Sequence, residues 1–243
     1  MTSKNRIPFA AAILAAAVII GVIIFSYTWH SNYQLDQNIS VTGSAKQAFT
    51  SDIGYLKATI KGSGSTAKQA FRNLEEQKPV VVNFFTDNGF NKDEVIFKTS
   101  NSYSREAYDE NGRPTGRILS WTYRQKVEVR SDDAQKIKTL SLQIGSLVQQ
   151  GISIQVETPE YYYSNLDSLK VNIQSRAAKN AMMRAQKISE ATNQELGNMT
   201  SARMGVLQIT PVNSNNVSSA GINDASAIEK EITGVVSATF QIE

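Results

Sequence analysis

Cysteine is absent from this 243-residue chain, histidine occurs once, and there are only five prolines and two tryptophans. Without cysteine the chain forms no disulfide, has no thiolate nucleophile and offers no thiolate metal ligand. The one histidine, His30, sits beside the apolar N-terminus, so neither a Ser-His-Asp triad nor a histidine-rich metal site is expected in the remainder. Strong charge of one sign is missing as well. The formal net charge is +3, and with Lys4 and Arg6 set aside 23 basic residues stand against 22 acidic ones. Nucleic-acid binding needs clustered Lys and Arg to neutralise phosphates, so no nucleic-acid partner is expected. The GSGS at 62–65 lacks the downstream Gly-Lys-Ser/Thr of a P-loop and the spacing of a dinucleotide fingerprint, and reads as a strand-to-helix turn. No cofactor, no metal and no catalytic residue follow from these patterns.

What the chain does have is one long hydrophobic run. Lys4 and Arg6 precede Ile7 to Phe25, which holds no charged residue, and Tyr27, Trp29 and Tyr33 follow at a polar boundary. A helix from Ile7 to Trp29 is long enough for the ~30 Å hydrocarbon layer, with Tyr27 and Trp29 at the far interface and Lys4 and Arg6 holding the N-terminus in the cytoplasm. Ala15-Ala16-Ala17 also reads as a signal-peptidase site, but cleavage there leaves a short apolar core and a hydrophobic new terminus. The expectation is a retained single-pass anchor over residues 1–33 (core 7–29), with the domain at 34–243 across the membrane. About 210 residues suffice to bury a sizeable core without a staple.

From Gln34 the composition is that of a globular domain. Residues 39–45 and 52–61 read as strands, the second alternating Leu56, Ala58 and Ile60 with Lys57, Thr59 and Lys61. Ala67, Ala70, Leu74, Gln77 and Val81 lie on one helical side, interrupted by Pro79 near Lys78 and ended by Asn88-Gly89. A strand is expected at 95–103, a loop at Asp109 to Pro114, and a long strand from Arg117 to Arg130 in which Leu119, Trp121, Tyr123, Val127 and Val129 share a face. Asp132 with Gln135 suggests a capping box, followed by an apolar helical stripe from Ile137 to Leu147 and a strand at 152–156. Leu166 to Leu196 reads as one helix capped by Gly197. Strands at 201–210 and 234–242 flank a polar segment. The order ββαβ-βαβ-αββ predicts an α+β fold, a two-layer arrangement of helices on mixed or antiparallel sheets, with 117–160 as an inserted βαβ subdomain.

In the 166–196 helix, Ala177, Ala181, Ala185, Ile188 and Thr192 fall on one side, a packing face whose small residues allow close approach to a sheet. Arg176-Ala177-Ala178 through Ala181, Ala185 and Glu195-Leu196-Gly197 resembles the R-x-A-x-x-x-A-x-x-x-A...LG segment of the SIMPL domain family (DUF541). Ile39 to Gly43, Asp52 with its alternating strand, Asn88-Gly89-Phe90 leading to Thr99, and Val148 to Ile152 resemble further landmarks in the same order. Ala45 replaces a usual glycine, Ser51-Asp52 a usual Pro-Asp, and Pro79 interrupts a usually continuous helix. The resemblance implies an exported bacterial protein, sometimes assembled into rings or channels or linked to stress tolerance, and supplies no catalytic residues.

Other clusters are weaker. Glu75-Glu76, Asp93-Glu94 and Asp132-Asp133 read as helix surface or turn rather than acid/base pairs. Tyr161-Tyr162-Tyr163 is a candidate partner contact, because tyrosine combines large area with a polar tip, and reads equally as ordinary burial at the subdomain joint. Arg113, Arg117, Arg124 and Arg130 suggest a basic side on the long hairpin. The expected function is binding or homo-oligomeric assembly in the cell envelope, with an unknown envelope protein or polymer as partner and the membrane held through the N-terminal helix. The alternatives are an enzyme acting on envelope polymers through carboxylates, and a signalling adaptor presenting residues 205–232.

Overall fold

The computed structural model describes residues 6–34 and 37–242, and within the first helix the side chains of residues 14–29. The chain forms two compact units, one of residues 1–46, 171–207 and 233–243, the other of 47–170 and 208–232. Residues 117–160, expected as an inset, lie within the second unit.

The first unit begins with helix α1 (Arg6–Gln34). Every residue from 14 to 29 is exposed, with the large aliphatic side chains 57–67 % accessible on all sides. A Cβ on Gly21 would meet nothing within 4 Å. Among the described residues no helix is long and apolar enough to cross a membrane. Residues 14–29 alone extend about 24 Å at 1.5 Å per residue, less than the ~30 Å layer, so the membrane-spanning helix expected over 7–29 is not shown. Tyr27 and Trp29 are exposed, Trp29 lying 5.5 Å from the Phe25 ring. Lys4 lies outside the described residues, and the side chains of Arg6 and His30 outside those described.

The remainder of this unit is one helix on an antiparallel sheet. Strand β11 (Glu229–Ile242) runs between β1 (Asn38–Thr50) and β8 (Leu196–Met204), the β8 register running from Val236↔Met204 to Ile242↔Leu196 with two bulges. Over it lies α6 (Leu166–Ala191). Its buried stripe is Ile173, Ala177, Ala181, Ala185 and Ser189, a strict four-residue step. Ile188, expected in the stripe, is 45 % exposed, because each step of four advances about 40° and the buried line follows the sheet twist. The alanines bring the backbones together. A Cβ on Gly43 of β1 would stand 2.2 Å from the Ala181 nitrogen and 2.3 Å from the Ala177 oxygen. Val41, Ala238 and Phe240 complete this core. Arg184 donates to the Thr42 carbonyl at 2.9 Å and Ser44 N–H donates to Asn180 Oδ1 at 3.1 Å, so helix side chains occupy main-chain groups of β1 that would otherwise invite another strand. The helix stops five residues before its expected end. Asn193 takes φ +54 there, the left-handed cap position that asparagine tolerates, and Gly197 belongs to β8.

The second unit is built on a six-stranded sheet. Strands β2 (Ile53–Gly64) and β5 (Pro114–Ser131) pair antiparallel from Gly54↔Ser131 to Gly64↔Trp121. Beside them lie β3 (Ile96–Phe97), β4 (Asn101–Tyr108), β6 (Ile154–Val156) and β7 (Glu160–Tyr162). The strand expected at 95–103 is split, since Lys98 to Ser100 separate β3 from β4. Helices α2 (Ala67–Glu75), α3 (Lys78–Asp87), α4 (Ala134–Gln143) and α5 (Ser146–Gln149) cover one face, burying Leu56, Ala58, Ile60, Val127 and Val129 against Leu74, Phe85, Ile137 and Leu147. Pro79 sits in the first turn of α3, where its missing N–H costs nothing. The break is bridged by Gln77, which donates to the Lys61 and Asn73 carbonyls at 2.8 and 2.9 Å and accepts from Ser153 N–H at 3.0 Å. The cap of α4 is Asp133, accepting from Gln135 and Lys136, one residue beyond the expected Asp132, which instead pairs with Arg130. Two short strands, β9 (Gln208–Pro211) and β10 (Ile222–Asn223), pair in parallel in this unit.

Candidate functional site

Alternation in β2 and β5 decides what the second unit shows to solvent. With Leu56, Ala58 and Ile60 turned to the helices, Lys57, Thr59 and Lys61 point the other way. Their register partners on β5, Glu128, Lys126 and Arg124, do the same. Among the described residues no helix covers this face. It forms a groove of about 570 Å³ floored by β2 and β5 and walled by Lys98 to Tyr103 on one side and Gln155 to Glu157 on the other. That volume lies within the ~300–1,000 Å³ of small-molecule sites, and every residue that lines it carries a polar or charged group.

Its charges are ordered along the strands. At one end Lys126 pairs with Glu157 at 2.7 Å and Lys98 reaches Glu128 at 3.4 Å, and beyond the groove on the same face Lys57 pairs with Glu160 at 2.8 Å. The hydrogen bond from Lys57 holds the Glu160 carboxyl below its ordinary value, the Tyr162 hydroxyl adding to this. The same bond raises Lys57. At the other end Lys61 donates to Gln155 Oε1 at 3.2 Å, and Arg124 donates to the Tyr103 hydroxyl at 2.8 Å with its guanidinium 4.6 Å from that ring. The Tyr103 hydroxyl is lowered from its usual value by its hydrogen bond with Thr122, then by Arg124. The sequence drew attention to Arg124 but not to Lys61, Tyr103 or Gln155, which converge only through pairing of β2 with β6 and of β4 with β5. Arg130 is neutralised by Asp132 at 2.6 Å, while Arg113 and Arg117 lie towards the exposed hairpin tip.

The triple tyrosine does not form one surface. Tyr161 is 5 % exposed and part of the core, its N–H donating to the Ala225 carbonyl at 2.7 Å and its carbonyl accepting from Lys230 at 2.6 Å. Lys230 is itself buried, and desolvation pushes its ammonium down. A buried side chain offers no contact area, so of the three only Tyr162 and Tyr163 reach solvent. Tyr162 packs edge-on against Tyr55 at 5.7 Å and donates to Glu160 at 2.9 Å, and Tyr163 lies 5.1 Å from Phe49. The acidic pairs have local uses: Glu75 binds Lys78, Glu94 accepts from Asn91 N–H and Asp133 caps α4. Asp52 accepts from Ser164 N–H at 2.7 Å and from its hydroxyl. Among the described residues no group of three His, Asp or Glu side chains is arranged to hold a metal ion. In the first unit a second groove, about 530 Å³ and mostly apolar, lies between β1 and α6 along Thr42, Met183 and Ile188.

The landmarks noted in the sequence now have places in the fold. Gly43 meets the alanine stripe, Asp52 ties β2 to Ser164, and Gly89 and Gly151 take φ of +81° and +82° after their helices. The family model described as "SIMPL: Protein of unknown function (DUF541)" matches residues 39–240. The chain belongs to the SIMPL family. No curated protein matches it. The α+β architecture with mixed and antiparallel sheets is thus that of a SIMPL protein.

Proposed function

We propose that this SIMPL protein is a membrane-held, extracytoplasmic binding protein of the bacterial envelope, working through the open face of its second unit rather than by catalysis. The observation that carries the reading is the uncovered state of α1. From Leu14 to Phe25 apolar side chains are exposed around the whole helix, and a helix apolar on every side is stable only where lipid or protein covers it. The uncharged run of the sequence continues back to Ile7, giving about 19 residues within the range that spans a bilayer. Lys4 and Arg6 before it favour a cytoplasmic N-terminus, which puts residues 37–242 on the far side. Binding rather than chemistry is supported by the open face, where Glu128, Glu157 and Glu160 are each paired with a lysine and committed to neutralising it. The test is an alkaline carbonate wash of membranes containing the full chain. The protein is expected in the pellet, and in the supernatant once Ile20 and Ile23 are both changed to Lys, each costing ~2.5–3.5 kcal/mol at a bilayer centre. Release of the parent chain by the wash would overturn the anchor.

Self-association is a second reading, favoured by β8. This edge strand pairs only with β11 among the described residues, is exposed from Asn198 to Met204, and displays Met199 and Met204 at 58 % and 48 %. An exposed edge of this length is a template for a second chain. Light scattering on the full chain in detergent is expected to give a multiple of the 26.7 kDa protomer. A protomer mass at high protein concentration excludes this reading.

A further inference from the structure

We infer that the carboxylate-free end of the open groove is a binding seat for a phosphate group, held between Lys61 and Arg124. The inference rests on the reading of this face as a binding surface and names what it binds. Lys61 and Arg124 are direct register partners across β2 and β5, so two like charges stand side by side at a spacing where opposition is destabilising. Elsewhere on the face that cost is avoided. Lys57 stands opposite Glu128 and Lys126 opposite Thr59, and each of the three other groove-face lysines has a carboxylate within 3.4 Å. Only this pair meets neutral partners, the Gln155 amide oxygen and the Tyr103 hydroxyl. An anion between them removes the repulsion.

Donor number and geometry favour phosphate. Lys61 uses one of its three ammonium hydrogens on Gln155, and Arg124 one of its five N–H groups on Tyr103, leaving about six donors for a ligand. The tyrosine fixes the guanidinium twice, through the hydroxyl at 2.8 Å and the ring at 4.6 Å, so a planar fork is pre-oriented for tetrahedral oxygens. Asn101, the β4 register partner of Arg124, and Thr99 line the same end and add neutral donors. The groove of about 570 Å³ is far larger than one phosphate. It continues towards Lys126 and Glu157, so the group enters attached to a larger body whose uncharged part lies along Thr59.

The test is calorimetric titration of the full chain in non-ionic detergent at low ionic strength, using inorganic phosphate, glycerol 3-phosphate and citrate. Saturable binding of both phosphates is expected, with glycerol 3-phosphate tighter because it fills more of the groove. Lys61→Gln and Arg124→Gln are each expected to weaken it at least ~10-fold, the usual effect of a lost charge-assisted contact. Lys187→Gln, at an exposed α6 residue paired with Glu190, is expected to leave it within ~2-fold, as for an exposed pair. Added salt weakens it. Inorganic phosphate binding without preference for the ester supports the seat and overturns the larger body. Absence of saturable phosphate binding, persistence in the Lys61→Gln/Arg124→Gln double variant, or equal affinity for citrate overturns the seat. The carbonate wash is independent of all three, so failure here leaves the membrane reading standing, and failure there leaves the seat standing.

Discussion

Gly43 is the most exacting position in the first unit, and replacing it with alanine perturbs the contact between β1 and α6. The new Cβ would lie 2.2 Å from the Ala181 nitrogen, 2.3 Å from the Ala177 oxygen and 2.7 Å from the Ala181 Cα. All three are main-chain atoms of a helix, so no side chain can swing aside. Restoring an ordinary contact of about 3.4 Å needs the helix to retreat by about 1.2 Å. That displacement opens the packing of Ala181 and Ala185 against Val41, Ala238 and Phe240. Overpacking of this kind costs about 3 kcal/mol. Gly145 provides the matched control, because its φ is −59° and a Cβ there meets nothing within 4 Å. Gly145→Ala is expected to add about 0.4–1 kcal/mol by restricting the unfolded chain. Thermal unfolding of the full chain in detergent, followed by circular dichroism, should separate the two variants by about 8–15 °C. Hydrogen exchange should accelerate along α6 in Gly43→Ala alone. A Gly43→Ala protein melting within about 1 °C of the parent, with unchanged exchange in α6, would refute the close-approach reasoning.

Gln77→Ala removes three hydrogen bonds at the junction of α2 and α3 and is expected to cost about 2 kcal/mol in chemical denaturation, since it strands polar main-chain groups. Ile137→Ala empties a fully buried site facing Gly54 and should cost about 3 kcal/mol. The Glu160 carboxyl lies below its ordinary value in the folded protein, so its stabilisation is present above the unfolded value of about 4.5 and is lost as pH falls through the folded one. With the side chains of Lys57 and Glu160 still 28 % and 36 % exposed, the effect is held to about 0.5 kcal/mol. Glu160→Gln should remove it from the denaturation profile between about pH 6 and pH 3, and an unchanged profile would mean that the pair contributes nothing.

Much of the fold was legible because burial writes itself into a period. Leu56, Ala58 and Ile60 alternate, and so do Val127 and Val129, and both pairs of faces are where alternation put them. The alanines at 177, 181 and 185 are the close-packed face expected of them. Ile188 and Gly197 were misplaced because a wheel drawn on a straight helix ignores sheet twist, and because asparagine at 193 reaches the left-handed cap first. The split at Lys98 to Ser100 carries no breaker residue, so local propensity does not announce it. The groove was harder to see. Gln155 and Lys61 are 94 residues apart, and only pairing across β2 brings them together. The tyrosine run divides for a related reason: alternation in β7 turns Tyr161 inward and leaves Tyr162 exposed.

The measurement that bears most directly on the membrane-held, extracytoplasmic reading is sidedness. The chain contains no cysteine, so Asn111→Cys, in the exposed turn between β4 and β5, gives a single thiol. Intact cells with a permeabilised outer layer are treated with a membrane-impermeant maleimide and the protein is then isolated. Full modification before the inner membrane is broken is the expected result. Modification only after lysis of that membrane would place the binding face in the cytoplasm and contradict the reading.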